Sequence, residues 1–125
     1  MKKVILDTNF LLLPGQHRID VFEEIDRLVK DRYELCVVPG TLDELKGLSQ
    51  GDSRDAQAAK LGFVLAQQKG LKTTGKSNDS VDDAIVDIAG KDVIVATQDK
   101  LLKKRVQEKG AKVMTMRQKQ HLVLV

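Results

Sequence analysis

The chain holds one cysteine, no tryptophan, two histidines and only 3% aromatic residues among its 125. Each scarcity removes a class of function. Cys36, alone in the apolar run "LCVV", can build neither a disulfide framework nor a zinc ribbon within one chain, and reads as a small buried hydrophobe. His17 falls in an expected loop and His121 in the tail, and neither has a visible orienting partner of the kind a general base needs. With so few aromatic rings, stacking on nucleobases is scarce. No apolar run approaches the ~18 residues of a membrane span, and the N-terminus lacks a signal-type apolar stretch with a small-residue cleavage site. A cytoplasmic protein without a membrane partner is expected.

What is present is a hydrophobic fraction of 42% without a shift in composition along the chain, which fits a single domain over residues 1–125. The net charge of +3 is modest but unevenly placed. From Lys100 onward the basic residues are Lys100, Lys103, Lys104, Arg105, Lys109, Lys112, Arg117 and Lys119, opposed only by Glu108. That imbalance points to a polyanionic partner, although a solvated lysine-rich helix face has the same composition.

Strand and helix signals alternate. Val4 to Leu6, "ELCVV", "DVIVAT" and "AKVMTM" read as strands; "LKT" is a candidate short strand, and "HLVLV" an edge strand, a frayed tail or a partner contact. Helical spacing links Ile19, Phe22, Ile25, Leu28 and Val29, and recurs in "TLDELKGL", in residues 52–69, in the stripe Val81, Ala84, Ile85, Ile88, and from Asp99 to Lys109, where Gly110 ends it. Ser80 with Asp83 three residues on is close to a capping box. Alternation with near-continuous apolar strands predicts an α/β fold, a mainly parallel central sheet with helices on both sides.

In such sheets, ligands bind outside the carboxyl ends of the strands. Asp7 follows the first strand and Asp99 follows "VIVAT"; Glu44 begins the helix after "ELCVV", and Asp83 begins the helix that returns to "DVIVAT". Four acids from distant parts of the chain are thus expected on one rim. Singly, each has a plain structural reading: Asp83 and Asp99 as helix caps, Glu44 as half of a surface pair, Asp7 as a turn residue. Together they repel, by about 4 kcal/mol for two charges ~4 Å apart at an effective dielectric near 20. Protonation relieves this, and so does a hard cation, Mg²⁺ or Mn²⁺, for which oxygen is the preferred ligand. One or two such ions would activate water and stabilise a phosphodiester in in-line displacement.

Four stretches resemble, in order and spacing from residue 4 to about 115, the motifs of the PIN-domain nucleases: "ILDTNFLL", "LDELKGL", "VDDAIVDIA" and "VIVATQDKLL". The resemblance implies a three-layer α/β/α PIN-like fold and a metal-dependent endoribonuclease. It assigns metal binding and catalysis to Asp7, Glu44, Asp83 and Asp99, taking Glu44 over Asp43 and, because Ala-Ile follows, Asp83 over Asp82. Thr8, Asn9 and Thr97 become supporting neighbours of the carboxylates. "VDDAI" and "ATQDK" are similar to stand-alone archaeal PIN nucleases of the ribosome-processing type, implying RNA, rRNA among it, as substrate and ribosome-assembly proteins as partners. VapC-type toxins share the four acids, so a toxin with an antitoxin partner stays open, as do a homodimer and a non-catalytic RNA-binding scaffold. Lys46, Lys100, Lys103 and Lys104 are the first candidates for holding the RNA backbone.

Two other patterns compete. "GLKTTGKS", residues 70–77, matches the P-loop letter for letter, but a helical pattern precedes it and "NDSVDD" follows, which places carboxylates where phosphate would sit. An aspartyl phosphatase also puts Asp after its first strand, in the pattern D-x-D; here position 9 is Asn.

Overall fold

The computed structural model describes residues 1–125. Its elements run β1 (Lys2–Leu6), α1 (Thr8–Leu11), α2 (Leu13–His17), α3 (Val21–Leu28), β2 (Tyr33–Val37), α4 (Thr41–Leu48), α5 (Arg54–Gln68), β3 (Lys72–Thr73), α6 (Val81–Ile88), β4 (Val93–Ala96), α7 (Lys100–Glu108), β5 (Lys112–Arg117) and β6 (His121–Leu124). Side-chain caps start the longer helices: Asp20, Ser53, Ser80 and Asp99 each accept the backbone N–H of the residue three positions on.

The sheet order is β3-β2-β1-β4-β5-β6, parallel throughout except for β6. Because side chains alternate along a strand, each central strand feeds two cores. Val4, Leu6, Val37, Ile94, Ala96 and Met114 meet Phe10, Leu11, Ile25, Leu45 and Ala59 from α1, α3, α4 and α5 on one face. Ile5, Cys36, Val95 and Val113 meet Ala84, Ile85, Leu102 and Val106 from α6 and α7 on the other. This two-sided burial is why the strands read as continuous apolar runs.

One expectation needs correction. His17 lies not in a loop but at the end of α2, within a stretch that showed no helical period. Of the readings open for "HLVLV", the edge strand is the one found: it forms the antiparallel strand β6, and α3 covers its outer side. There Leu122 N–H donates to Glu24 Oε1 at 3.0 Å, and its carbonyl accepts from Arg27 Nη2 at 3.3 Å. At the opposite edge, β3 offers only two residues. No helix is long and apolar enough to cross a membrane.

Candidate active site

Strand order reverses between β1 and β4: the chain moves from β1 to β2 on one side, while β4 lies on the other. The crevice at such a switch point is where helices on opposite faces diverge. Asp7 leaves β1 at this spot, its N–H donating to Ala96 C=O of β4 at 3.0 Å. The residue is only 4% exposed. One carboxylate oxygen accepts the N–H of Thr8 at 2.8 Å; the other accepts the Thr97 hydroxyl at 2.8 Å and Asn9 Nδ2 at 3.1 Å. Burial is the largest cause pushing its pKa from 3.8 to about 6; Asp82 and Glu44 push the same way, while the bonds from Thr97 and Thr8 oppose them.

The other groups converge from neighbouring elements. Glu44, in the first turn of α4, accepts the Thr8 hydroxyl at 2.5 Å. Asp99 caps α7 through Leu102 N–H at 3.0 Å, and its own N–H donates to Thr97 Oγ1 at 3.1 Å. One threonine therefore braces both Asp7 and the Asp99 backbone. Gln98 N–H donates to Asn9 Oδ1 at 3.2 Å, which closes the crevice between the β1 and β4 loops. Thr8, Asn9 and Thr97 thus all touch the acids.

The two acids that open α6 face different neighbours. Asp83 points to α7, where its carboxylate pairs with Arg105 at 2.9 Å; that guanidinium, then the Ser80 hydroxyl, hold its pKa below the ordinary range. Asp82 faces the rim instead: burial and then Asp99 raise its pKa, Arg105 opposes them, and Glu44 adds to the rise. The helical stripe carried this signal. With roughly 100° per residue, Asp82 lies about 110° from the centre of the stripe Val81, Ala84, Ile85, Ile88, and Asp83 about 150° from it. Asp82 therefore flanks the buried face while Asp83 turns away.

No three acidic, histidine or cysteine side chains lie close enough together to hold a metal ion as they stand. The donors nevertheless suit a hard cation that keeps waters in its shell, since all are carboxylate oxygens and a buried Asp7 charge calls for a counter-ion. A softer metal finds nothing here; Cys36 is buried in the α6/α7 core, its thiol pKa raised mainly by burial.

Among the sequence-predicted cations, Lys100 and Lys104 are exposed on α7 and Lys103 half-buried beside them, its pKa lowered first by burial, then by Lys100 and Arg117. Lys46 sits on α4, its ammonium 5.4 Å from the centre of the Phe63 ring. In the P-loop-like stretch, two residues of the motif form the edge strand β3, and the helix that follows begins only at Val81. That is not a strand-loop-helix phosphate cradle.

Residues 4–119 match the family described as PIN like domain. The chain belongs to that family. This PIN-like chain is 32% identical over 124 residues to Ribonuclease VapC4 of Methanocaldococcus jannaschii, covering 97% of itself and 95% of that protein. Its fold is that of the PIN domain endonuclease Utp24, with a TM-score of 0.79 and 24% identity over 98% of this chain and 90% of that one. A domain of a functionally unknown Methanocaldococcus jannaschii protein matches more loosely, with a TM-score of 0.62 and 15% identity over 94% and 92%. The PIN-like α/β fold with helices on both sides of a mostly parallel sheet is therefore the one that the four motifs implied.

Proposed function

We propose that this PIN-like chain is a divalent-metal-dependent endoribonuclease. The observation that carries the proposal is the buried Asp7 carboxylate at the β1/β4 switch point, raised to about 6 and facing Asp82, Glu44 and, across Thr97, Asp99. The 32% identity to Ribonuclease VapC4 over nearly the whole chain supports RNA as the substrate.

In this reading Asp7, Glu44, Asp82 and Asp99 hold Mg²⁺ or Mn²⁺. When bound, the cation supplies activated water and neutralises charge on the phosphorus oxygens. The chain's own residues set the geometry. Thr97, Asn9 and the Thr8 amide fix the Asp7 carboxylate in one orientation. Glu44 commits one oxygen to Thr8, and Asp99 one oxygen to its helix cap, leaving the second oxygen of each without a hydrogen bond from the protein. Asp83 has no place among these ligands; its bond to Arg105 ties α6 to α7 and so keeps Asp82 in position.

Cleavage assays on single-stranded and structured RNA with Mg²⁺ or Mn²⁺ test this directly. Asp7→Asn and Asp99→Asn should abolish cutting, and asparagine at 99 can still cap α7. Asp82→Asn should be equally inactive and Asp83→Asn active; the reverse order would return the third ligand to Asp83. Thr97→Val should slow cutting roughly 10- to 100-fold. RNA binding without any cutting would leave a scaffold. The similarity to a VapC protein also favours a toxin-type role, which growth arrest on expression, absent for Asp7→Asn, would support against rRNA maturation.

A further inference from the structure

Strand β5 runs parallel to β1 and β4, so its carboxyl end, Arg117, reaches the same rim as the acids. It is locked there. Gln98, next to Asp99, accepts at Oε1 both the Thr115 hydroxyl at 2.8 Å and Met116 N–H at 2.6 Å. The chain then turns through Gln118 and Lys119, both at φ 57, with Gln120 N–H donating to Arg117 C=O at 3.3 Å. Positive φ at both central residues is the pattern of a type I′ turn, whose usual occupants are Asn and Gly. Glutamine and lysine there are strained, and strain of this kind concentrates at sites of function.

The same corner gathers unpaired cations. Lys103 lies close enough to Lys100 and Arg117 for both to depress its pKa. Lys100, Lys103, Lys104, Arg117 and Lys119 form no salt bridge. Arg105 and Lys109, on the same helix, are instead consumed by structure: Arg105 by Asp83, and Lys109 by the Val86 and Asp87 carbonyls that end α6. On α7, Arg105 and Lys109 are thus tied to α6, whereas Lys103 stands near Arg117 and Lys100, and Lys100 and Lys104 are exposed to solvent. Free like charges gathered at one corner, with no aromatic residue among them, fit a regularly spaced polyanion recognised by its phosphates and not its bases.

We infer that Arg117 and Lys119, presented by the β5–β6 turn, extend the Lys100/Lys103 cluster into a phosphate-binding track that leads a single-stranded RNA onto the acid rim from the β5 side. This rests on the endoribonuclease reading and adds to it the side of entry and two residues that the sequence motifs do not mark.

The test is a fluorescence-anisotropy titration of a labelled, mixed-sequence single-stranded RNA over a range of salt concentrations without divalent ions, paired with cleavage kinetics. Arg117→Gln/Lys119→Gln should bind several-fold more weakly, and the log–log salt slope should flatten by about 0.7 per cation removed. In cleavage, its KM should rise with kcat unchanged. Gln118→Asn, which relaxes the turn and keeps the charge, should bind RNA as the parent does and unfold at a slightly higher temperature. Gln118→Asn/Lys119→Gly, whose Asn-Gly pair suits the turn, should fold normally yet bind weakly, separating charge from folding. Unchanged affinity and slope in the double glutamine variant, while the parent cuts RNA and Asp7→Asn does not, would overturn the track alone. Loss of polyglutamate binding with RNA affinity intact would overturn it in favour of an acidic protein partner. A parent that neither binds nor cuts RNA would remove the endoribonuclease reading and the track together.

Discussion

Asp7 is the residue on which chemistry and stability oppose each other. Its carboxyl moves from 3.8 unfolded to about 6 folded, so between those values the folded chain binds more protons than the unfolded one. Stability of metal-free protein must then fall as pH rises through that window, by up to about 3 kcal/mol if nothing relaxes. Urea denaturation in chelator from pH 4 to 8 should show the difference between the native chain and Asp7→Asn growing in favour of the variant as pH rises; a constant difference would clear Asp7 of this role. Thr41 poses a second residue-scale question. It is fully buried at the start of α4, and its hydroxyl has no partner. An orphaned buried hydroxyl costs about 1–3 kcal/mol, so Thr41→Val, nearly the same shape, should raise the urea midpoint at constant m-value. A drop would mean that the hydroxyl finds a bonded partner, such as an ordered water, in solution. At this scale the sequence was legible in part: motif order singled out Asp7, Glu44 and Asp99, which the fold brings to one end of the sheet, whereas the proposal of Asp82 in place of Asp83 rests on the direction of a helix face. The Thr41 orphan and the Arg105 bridge had no sequence signal, because both depend on what the fold brings alongside.

The elements divide by how locally they are determined. Strands β1, β2, β4 and β5 and helices α3 to α7 follow from period and caps read along the chain. Helices α1 and α2 do not: "TNFLLLPGQH" has no apolar stripe, and Pro14 and Gly15 are poor helix formers. They exist because α5 lies against them. Gly15 abuts Ala58, where an added Cβ would come 2.6 Å from its Cα, and Gly62 abuts the Leu11 carbonyl oxygen. Gly62→Ala should therefore destabilise by about 1–3 kcal/mol through overpacking, although alanine is the better helix former. Gly47, in α4 with nothing within 4 Å of an added Cβ, is its internal control. Gly47→Ala should stabilise by up to about 1 kcal/mol. Thermal melts of the two single variants give the comparison, and equal shifts of the same sign would refute the close α5 contact. The edges follow the same logic. β6 is blunted by the Glu24–Arg27 pair on α3, a contact between residues about a hundred positions apart that no local pattern announces.

For the whole molecule, alternating elements implied a parallel sheet, but strand order is a tertiary property, and it is the order that creates the crevice. With β4 beside β1, Asp7 and Asp99 become neighbours across Thr97 despite their distance in sequence. A site assembled from four separate elements couples ligand binding to global unfolding, because the unfolded chain cannot gather those carboxylates. Mg²⁺ or Mn²⁺ should accordingly raise the unfolding temperature, by the equivalent of about 2.7 kcal/mol at a hundred times its Kd, and chelator should reverse the gain. Since the cation favours the charged carboxylate, the gain should shrink as pH falls below about 6, where Asp7 takes up a proton. Asp7→Asn should show almost none of it at any pH. An equal metal-induced shift in the variant would place the ion elsewhere on the chain and detach the raised Asp7 carboxyl from metal chemistry.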